Sequence, residues 1–212
     1  MLGHKLLLVA ITDSVHDGTD GLVARARAAV RGGATMVQLR LKDPAGRTLD
    51  ARTLTDIGRA LVAAVDVPVV VNDRADVALA CGAAGAHLGA DDVPLAALRR
   101  ALPPGFILGA SAGTDAELAA LADAGADYVG IGPVYTTASK PDAGAAIGVP
   151  GFTRLAHRAG LPAVAVGGIT AANAAALGAP DVGAAGIAVI SAIFGAPDPE
   201  RAARQLRAAF TR

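Results

Sequence analysis

The chain has one cysteine, no tryptophan, few aromatics and no net charge, and each scarcity removes a class of function. The lone Cys81 makes no internal disulfide, which fits a reducing compartment. Aromatics at 3% are too few for base-stacking platforms. Nineteen Lys and Arg balance nineteen Asp and Glu, so bulk charge points to neither nucleic acid nor an anionic membrane. Hydrophobic residues reach 53% and mean hydropathy is +0.46. Even so, no apolar run approaches the roughly 18 residues that a spanning helix needs. Much of the apolar fraction is Ala lying beside Arg, Asp and Glu. "KLLLVAI" near the start resembles the apolar part of a secretion signal, but "TDSVHDG" follows at once without a small-residue cleavage pattern. It is expected to be a first strand, in a soluble, cytoplasmic protein.

No paired-His or Cys-x-x-Cys spacing occurs. Any metal would therefore be held by oxygen, which favours Mg²⁺ bound by carboxylates and substrate phosphates. Cys81 in "VALACGAAG" is expected to pack on a helix, and His87 to pack within a short strand.

What the chain does have is alternation. Eight β-rich runs ("KLLLVAI", "MVQLRLK", "VPVVVND", "GAHLG", "FILGAS", "DYVGIG", "PAVAVGGI" and "GIAVIS") are separated by Ala-rich helical stretches that often close with Gly. Thr114 and Thr170 stand where helix N-caps are expected. Eight such units predict an α/β fold, a single-domain (β/α)8 TIM barrel spanning 1–212. An open doubly wound sheet would need an early phosphate-binding Gly loop, and "VAITDS" is not one.

In a barrel the active site is assembled where the strands end and the βα loops begin. Asp73 and Asp92 follow the third and fourth strands, as helix N-caps or as ligands. In "VQLRLKD" the alternate residues Gln38, Arg40 and Lys42 share a face, a basic row suited to a polyanion. Ser111 ends the fifth strand as a hydrogen-bond donor or an ordinary loop serine. A long loop after the sixth carries Thr136, Thr137, Ser139 and Lys140. After strands seven and eight, Gly167, Gly168, Ile190 and Ser191 are expected to form a phosphate cup, mostly through backbone.

Taken in order, "VQLRLKD", "VNDRADVA", "GAHLGADD", "GASAGT", "DYVGIGPVYTTASKPDA", "VAVGGIT" and "GIAVISAI" resemble the motifs of thiamine phosphate synthases over residues 36 to 194. The resemblance implies coupling of hydroxymethylpyrimidine pyrophosphate to hydroxyethylthiazole phosphate, releasing pyrophosphate and forming thiamine phosphate. It implies that Asp73 and Asp92 match the family's Mg²⁺ ligands. Gln38, Arg40, Lys42, Asn72, Ser111 and Lys140 match positions around the pyrimidine and its pyrophosphate, with Arg40, Ser111 and Lys140 expected to be catalytic. Thr137 and Ser139 match hydroxyl residues of the loop, and Gly168, Ile190 and Ser191 the thiazole phosphate cup. Expected partners are these two small molecules, with no nucleic acid or membrane; self-association stays open.

The chain departs from the family pattern at Leu41, Ala90, Gly113, Thr136 and Ser139. In the family these are commonly Glu, Gln, His, Pro and Thr. Two alternatives remain: the family's thiazole tautomerase paralogue, which departs from the Asp pair and uses a His where Gly113 stands, and a silent phosphate-binding barrel with a regulatory role.

Overall fold

β-Branched and leucine-rich runs of four to six residues become the eight strands, because each must be apolar on both faces to sit between a barrel interior and a helical coat. A computed structural model describes residues 2–13, 17–42, 47–139 and 144–211. The strands are β1 Leu8–Ile11, β2 Met36–Leu39, β3 Val69–Asn72, β4 Gly85–Leu88, β5 Ile107–Ala112, β6 Tyr128–Ile131, β7 Ala163–Val166 and β8 Ala184–Val189. All pair in parallel in chain order, and β8 closes on β1 through Ala10 opposite Val189. The helices are α1 Gly3–Leu6, α2 Gly18–Arg31, α3 Ala51–Ala64, α4 Ala75–Cys81, α5 Leu95–Ala101, α6 Asp115–Asp123, α7 Gly148–Arg158, α8 Ser191–Phe194 and α9 Pro199–Phe210. The expected (β/α)8 barrel is the observed fold.

Alternation along the strands splits the core into two shells. Val37, Leu39, Val69, Val71, Val129 and Ile131 face outward into the helix layer. Val9, Ile11, Met36, Val70, Tyr128 and Val164 face inward. Helix α1 brings the fully buried Leu6 into this inner shell, at the end of the barrel opposite the strand C-termini. A Cβ at Gly186 would overlap the Leu6 carbonyl, so glycine there lets α1 press against β8.

Two expected elements differ. "KLLLVAI" is not all strand: Lys5 and Leu6 belong to α1, which buries Leu6 completely in the barrel floor. "TAANAAALGAP" folds only as a single 3-10 turn, Ala174–Ala176. There the Asn173 carboxamide accepts from the Thr170 amide at 2.8 Å and donates to the Gly168 carbonyl at 3.0 Å. That side chain gives the backbone an alternative to a helix, so Thr170 caps none. Thr114 does cap α6, in a reciprocal box with Glu117. No helix among the described residues is long and apolar enough to cross a membrane.

Candidate active site

A cavity of about 1600 Å³ opens at the C-terminal ends of the strands. Every residue expected at the site lines it except Lys140, which lies outside the described residues.

On one side stand the ends of β1 to β4. The fully buried Thr12, just past β1, donates its hydroxyl to the Arg40 carbonyl and accepts from the Arg40 amide, both at 2.9 Å. This clamp fixes the turn of chain on which Arg40 is displayed. Leu39 and Leu41 are buried in the outer shell, so Gln38, Arg40 and Lys42 face the cavity as alternation requires. The Lys42 ammonium lies 3.5 Å from the Asp73 carboxylate.

Asp73 is the one described non-glycine residue with a positive φ, +64°. Left-handed backbone is strained for most side chains and tolerated by Asp and Asn. The Asp73 amide nonetheless donates to the His87 carbonyl at 2.8 Å, so β3 keeps its pairing with β4 while the chain turns. The helix-cap reading fails here: Arg74 occupies the N-cap of α4, and no side chain caps it. It fails at Asp92 too, because α5 begins at Leu95 and the Asp92 carboxylate instead accepts from the Gly89 amide at 2.6 Å.

The two carboxylates converge. Burial pushes the Asp92 carboxyl up; the Gly89 hydrogen bond opposes this, and the charge and hydrogen bond of Asp73 reinforce it. Two carboxylates held together repel unless they share a proton or a cation. Among the described residues no three His, Cys, Asp or Glu side chains gather around one point. This pair therefore offers a divalent ion two oxygen donors and leaves its remaining positions to substrate and water, which suits Mg²⁺ better than a closed protein cage would.

The opposite side is built differently. Gly167 and Gly168 carry φ of +97° and +63°. A Cβ on Gly168 would overlap the Thr136 carbonyl and the Tyr135 side chain, so only glycine lets the loops after β6 and β7 meet. Tyr135 donates its hydroxyl to the Asn173 carbonyl at 3.3 Å. The Ser139 amide donates to Thr137 Oγ1 at 3.2 Å, and the Ser139 hydroxyl lies 3.3 Å from the Ser191 hydroxyl at the start of α8. Arg25 on α2 donates to the Phe194 and Ala196 carbonyls just beyond. The β6, β7 and β8 loops thus form one joined wall.

Sequence reading missed three residues here. Thr12 and Asn173 act on backbone and carry no motif. Tyr128 reads as an ordinary strand aromatic, yet it lines the cavity while only 2% exposed. His87 was expected to be packed; it lines the cavity and contacts both Tyr128 and Ser111. A signal existed in the glycines Gly109 and Gly130, inward positions on neighbouring strands that leave room for large partners. Cys81 is buried in the outer shell, where burial pushes its thiol up.

With this geometry in hand, residues 8–193 match a family model described as thiamine monophosphate synthase. A thiamine-phosphate synthase of Xanthobacter autotrophicus is 46% identical over 209 residues, covering 96% of this chain and 95% of that protein. One of Roseiflexus castenholzii is 45% identical over 203 residues, covering 94% and 86%. Among solved structures, a thiamine phosphate pyrophosphorylase from Pyrococcus furiosus superposes with a TM-score of 0.83 at 34% identity, covering 99% and 98% of the two chains.

Proposed function

The chain belongs to the thiamine monophosphate synthase family, and from that premise we propose how its barrel mouth works. It is a transferase that couples a pyrimidine and a thiazole moiety to give thiamine phosphate. We propose that the substrates are hydroxymethylpyrimidine pyrophosphate and hydroxyethylthiazole phosphate. Residues 1–212 act as one domain, and the lone buried Cys81 suits a cytoplasmic setting.

The observation that carries this reading is a single cavity with two unlike anion-holding walls. The Arg40, Lys42, Asp73 and Asp92 wall suits a metal-bound pyrophosphate. The Gly168, Ile190 and Ser191 wall, with Thr137 and Ser139 beside it, suits a phosphate monoester. Asp73 and Asp92 are the proposed Mg²⁺ ligands, and the bound ion supplies positive charge against the leaving pyrophosphate.

The chain's own residues do the rest. Arg40 and Lys42 meet the charge that develops on the pyrophosphate oxygens as the methylene–oxygen bond breaks and its electron pair departs. Lys140, in the loop after β6, adds a further cation. Asn72, Gln38 and Ser111 hold the pyrimidine, whose amino group helps to spread the positive charge left on the methylene. The cup fixes the thiazole by its phosphate, so that the ring nitrogen forms the new carbon–nitrogen bond and the positive charge passes to the thiazolium. No enzymatic nucleophile takes part.

The test is thiamine phosphate formation from the two substrates, read as fluorescent thiochrome, with Mg²⁺ and with chelator. Metal-dependent product is expected. Product that persists in chelator would overturn the metal assignment, and folded protein without product would overturn the substrate pair. The tautomerase alternative loses support from Asp73 and Asp92, the pair from which that paralogue departs and which this chain keeps.

A further inference from the structure

Helix α8 begins at the cup and ends against α2. Its first residue, Ser191, lines the cavity together with Ile190 and Ala192, while Ile193 and Phe194 are buried in the outer shell. The helix is a single turn, rising about 1.5 Å per residue, so a shift at its far end passes directly to Ser191. The last carbonyls of a helix have no partner within it. Here Arg25 supplies one from α2: its Nη1 donates to the Ala196 carbonyl at 2.8 Å and to the Phe194 carbonyl at 3.3 Å.

The first turns of α2 are arranged around that guanidinium. Asp is a favoured N-cap, yet Asp17, at the N-cap of α2, makes no side-chain capping bond. Its carboxylate lies instead 3.8 Å from Arg25 Nε. Asp17, Gly21 and Arg25 are spaced four apart and share a helix face, and a Cβ at Gly21 would overlap the Asp17 side chain. Glycine inside a helix costs stability; at this position it clears the path by which Asp17 reaches Arg25. The guanidinium is thus met at Nε by a carboxylate and at Nη1 by two carbonyls. A planar fork serves both sides at once, whereas a lysine ammonium is a single point charge. Arg25 is not among the residues that line the cavity.

We propose that Arg25 is a positioning residue for the thiazole phosphate: by gripping the end of α8 it holds Ser191 and the backbone of 190–192 in the cup, and so sets affinity for that phosphate without touching it. This rests on the phosphate-cup reading above. Releasing the grip moves the Ser191 end of α8, and with it the contact between the Ser191 and Ser139 hydroxyls. Arg40, Lys42, Asp73 and Asp92 stand across the cavity, at the ends of β2, β3 and β4, and keep their places.

The experiment titrates the full chain calorimetrically with hydroxyethylthiazole phosphate and follows turnover in the thiochrome assay. Arg25→Ala is expected to weaken thiazole phosphate binding, and to raise its KM, by about tenfold. The KM for the pyrimidine pyrophosphate and kcat at saturation should stay within about twofold. Arg25→Lys keeps the charge but not the fork, and should bind thiazole phosphate about threefold more weakly than wild type. Unchanged thiazole phosphate affinity in Arg25→Ala overturns the proposal. So does an equal rise in both KM values with a fall in kcat, which would report a loosened barrel and not a displaced cup. Wild-type affinity in Arg25→Lys also overturns it, because charge alone would then suffice. All three leave the proposed function standing. Wild type that binds thiazole phosphate without turnover overturns the proposed function, and the calorimetric ratios then decide this proposal by themselves; wild type that binds none overturns both. Should Arg25→Ala fail to fold, Arg25→Lys carries the test, with its threefold loss against none.

Discussion

The two walls of the cavity hold anions by different means. The ends of β2, β3 and β4 contribute charged side chains, with the Lys42 ammonium 3.5 Å from the Asp73 carboxylate and Asp92 beside it. The loops after β6, β7 and β8 contribute glycine backbone and hydroxyls, tied together through Asn173, Tyr135, Ser139 and Ser191. Charge on a side chain is removed by one substitution that leaves the backbone alone. A backbone cup is lost only when its path is deformed. The first wall should therefore fail in turnover, and the second in affinity for one substrate.

The largest expected effect is on the charged wall. Asp73→Asn, which keeps the left-handed turn, should lower kcat/KM by about 10²–10³-fold and leave the KM for thiazole phosphate near its wild-type value in the thiochrome assay. A rise confined to that KM would break the comparison.

On the second wall, Gly168→Ala forces a Cβ into the Thr136 carbonyl at a φ of +63°. It should raise the thiazole phosphate KM by about tenfold and destabilise the fold by about 1–3 kcal/mol in urea titration. Asn173→Ala, which frees the Gly168 carbonyl, should move the same KM by a smaller factor of about three to five. If it slows turnover instead, the walls are not separable.

The smallest effect on catalysis is expected at the α6 cap. Thr114→Ala should cost about 1 kcal/mol of stability with kcat/KM unchanged. The Glu117 carboxylate accepts from the Gly113 and Thr114 amides, bonds that hold its pKa below the usual 4.5. A depressed carboxyl stabilises the fold above its unfolded value and loses that contribution as pH falls through the folded value. The wild-type advantage over Glu117→Gln should thus be complete above about pH 5 and fade below 4.5. An advantage that grew on acidification would contradict the assignment.

The charged wall was legible in the sequence because strands alternate with period two and end abruptly. "VQLRLKD" and "VVVND" state which side chains share a face and where the strand stops. The cup was legible at the Gly167–Gly168 pair, since only glycine takes that path readily. What stayed hidden depends on partners distant in the chain. His87 and Tyr128 lie 41 positions apart, and the Gly109 that makes room for Tyr128 is on a third segment. Leu6 reads as part of an apolar run, and nothing local says that it floors the barrel. The run 170–180 looks helical from its alanines, but Asn173 turns its amide on the backbone instead.

The left-handed turn at Asp73 bears on descent. That backbone accepts Asp, Asn or Gly, and a single base change converts an aspartate codon to either of the others. Replacement by Asn would therefore keep the turn, the strand pairing and the barrel while removing the charge. Lineages of this fold can fall silent without losing their shape, and a preserved barrel is a poor witness to preserved chemistry. The witness to consult is the aspartate at that turn, Asp73.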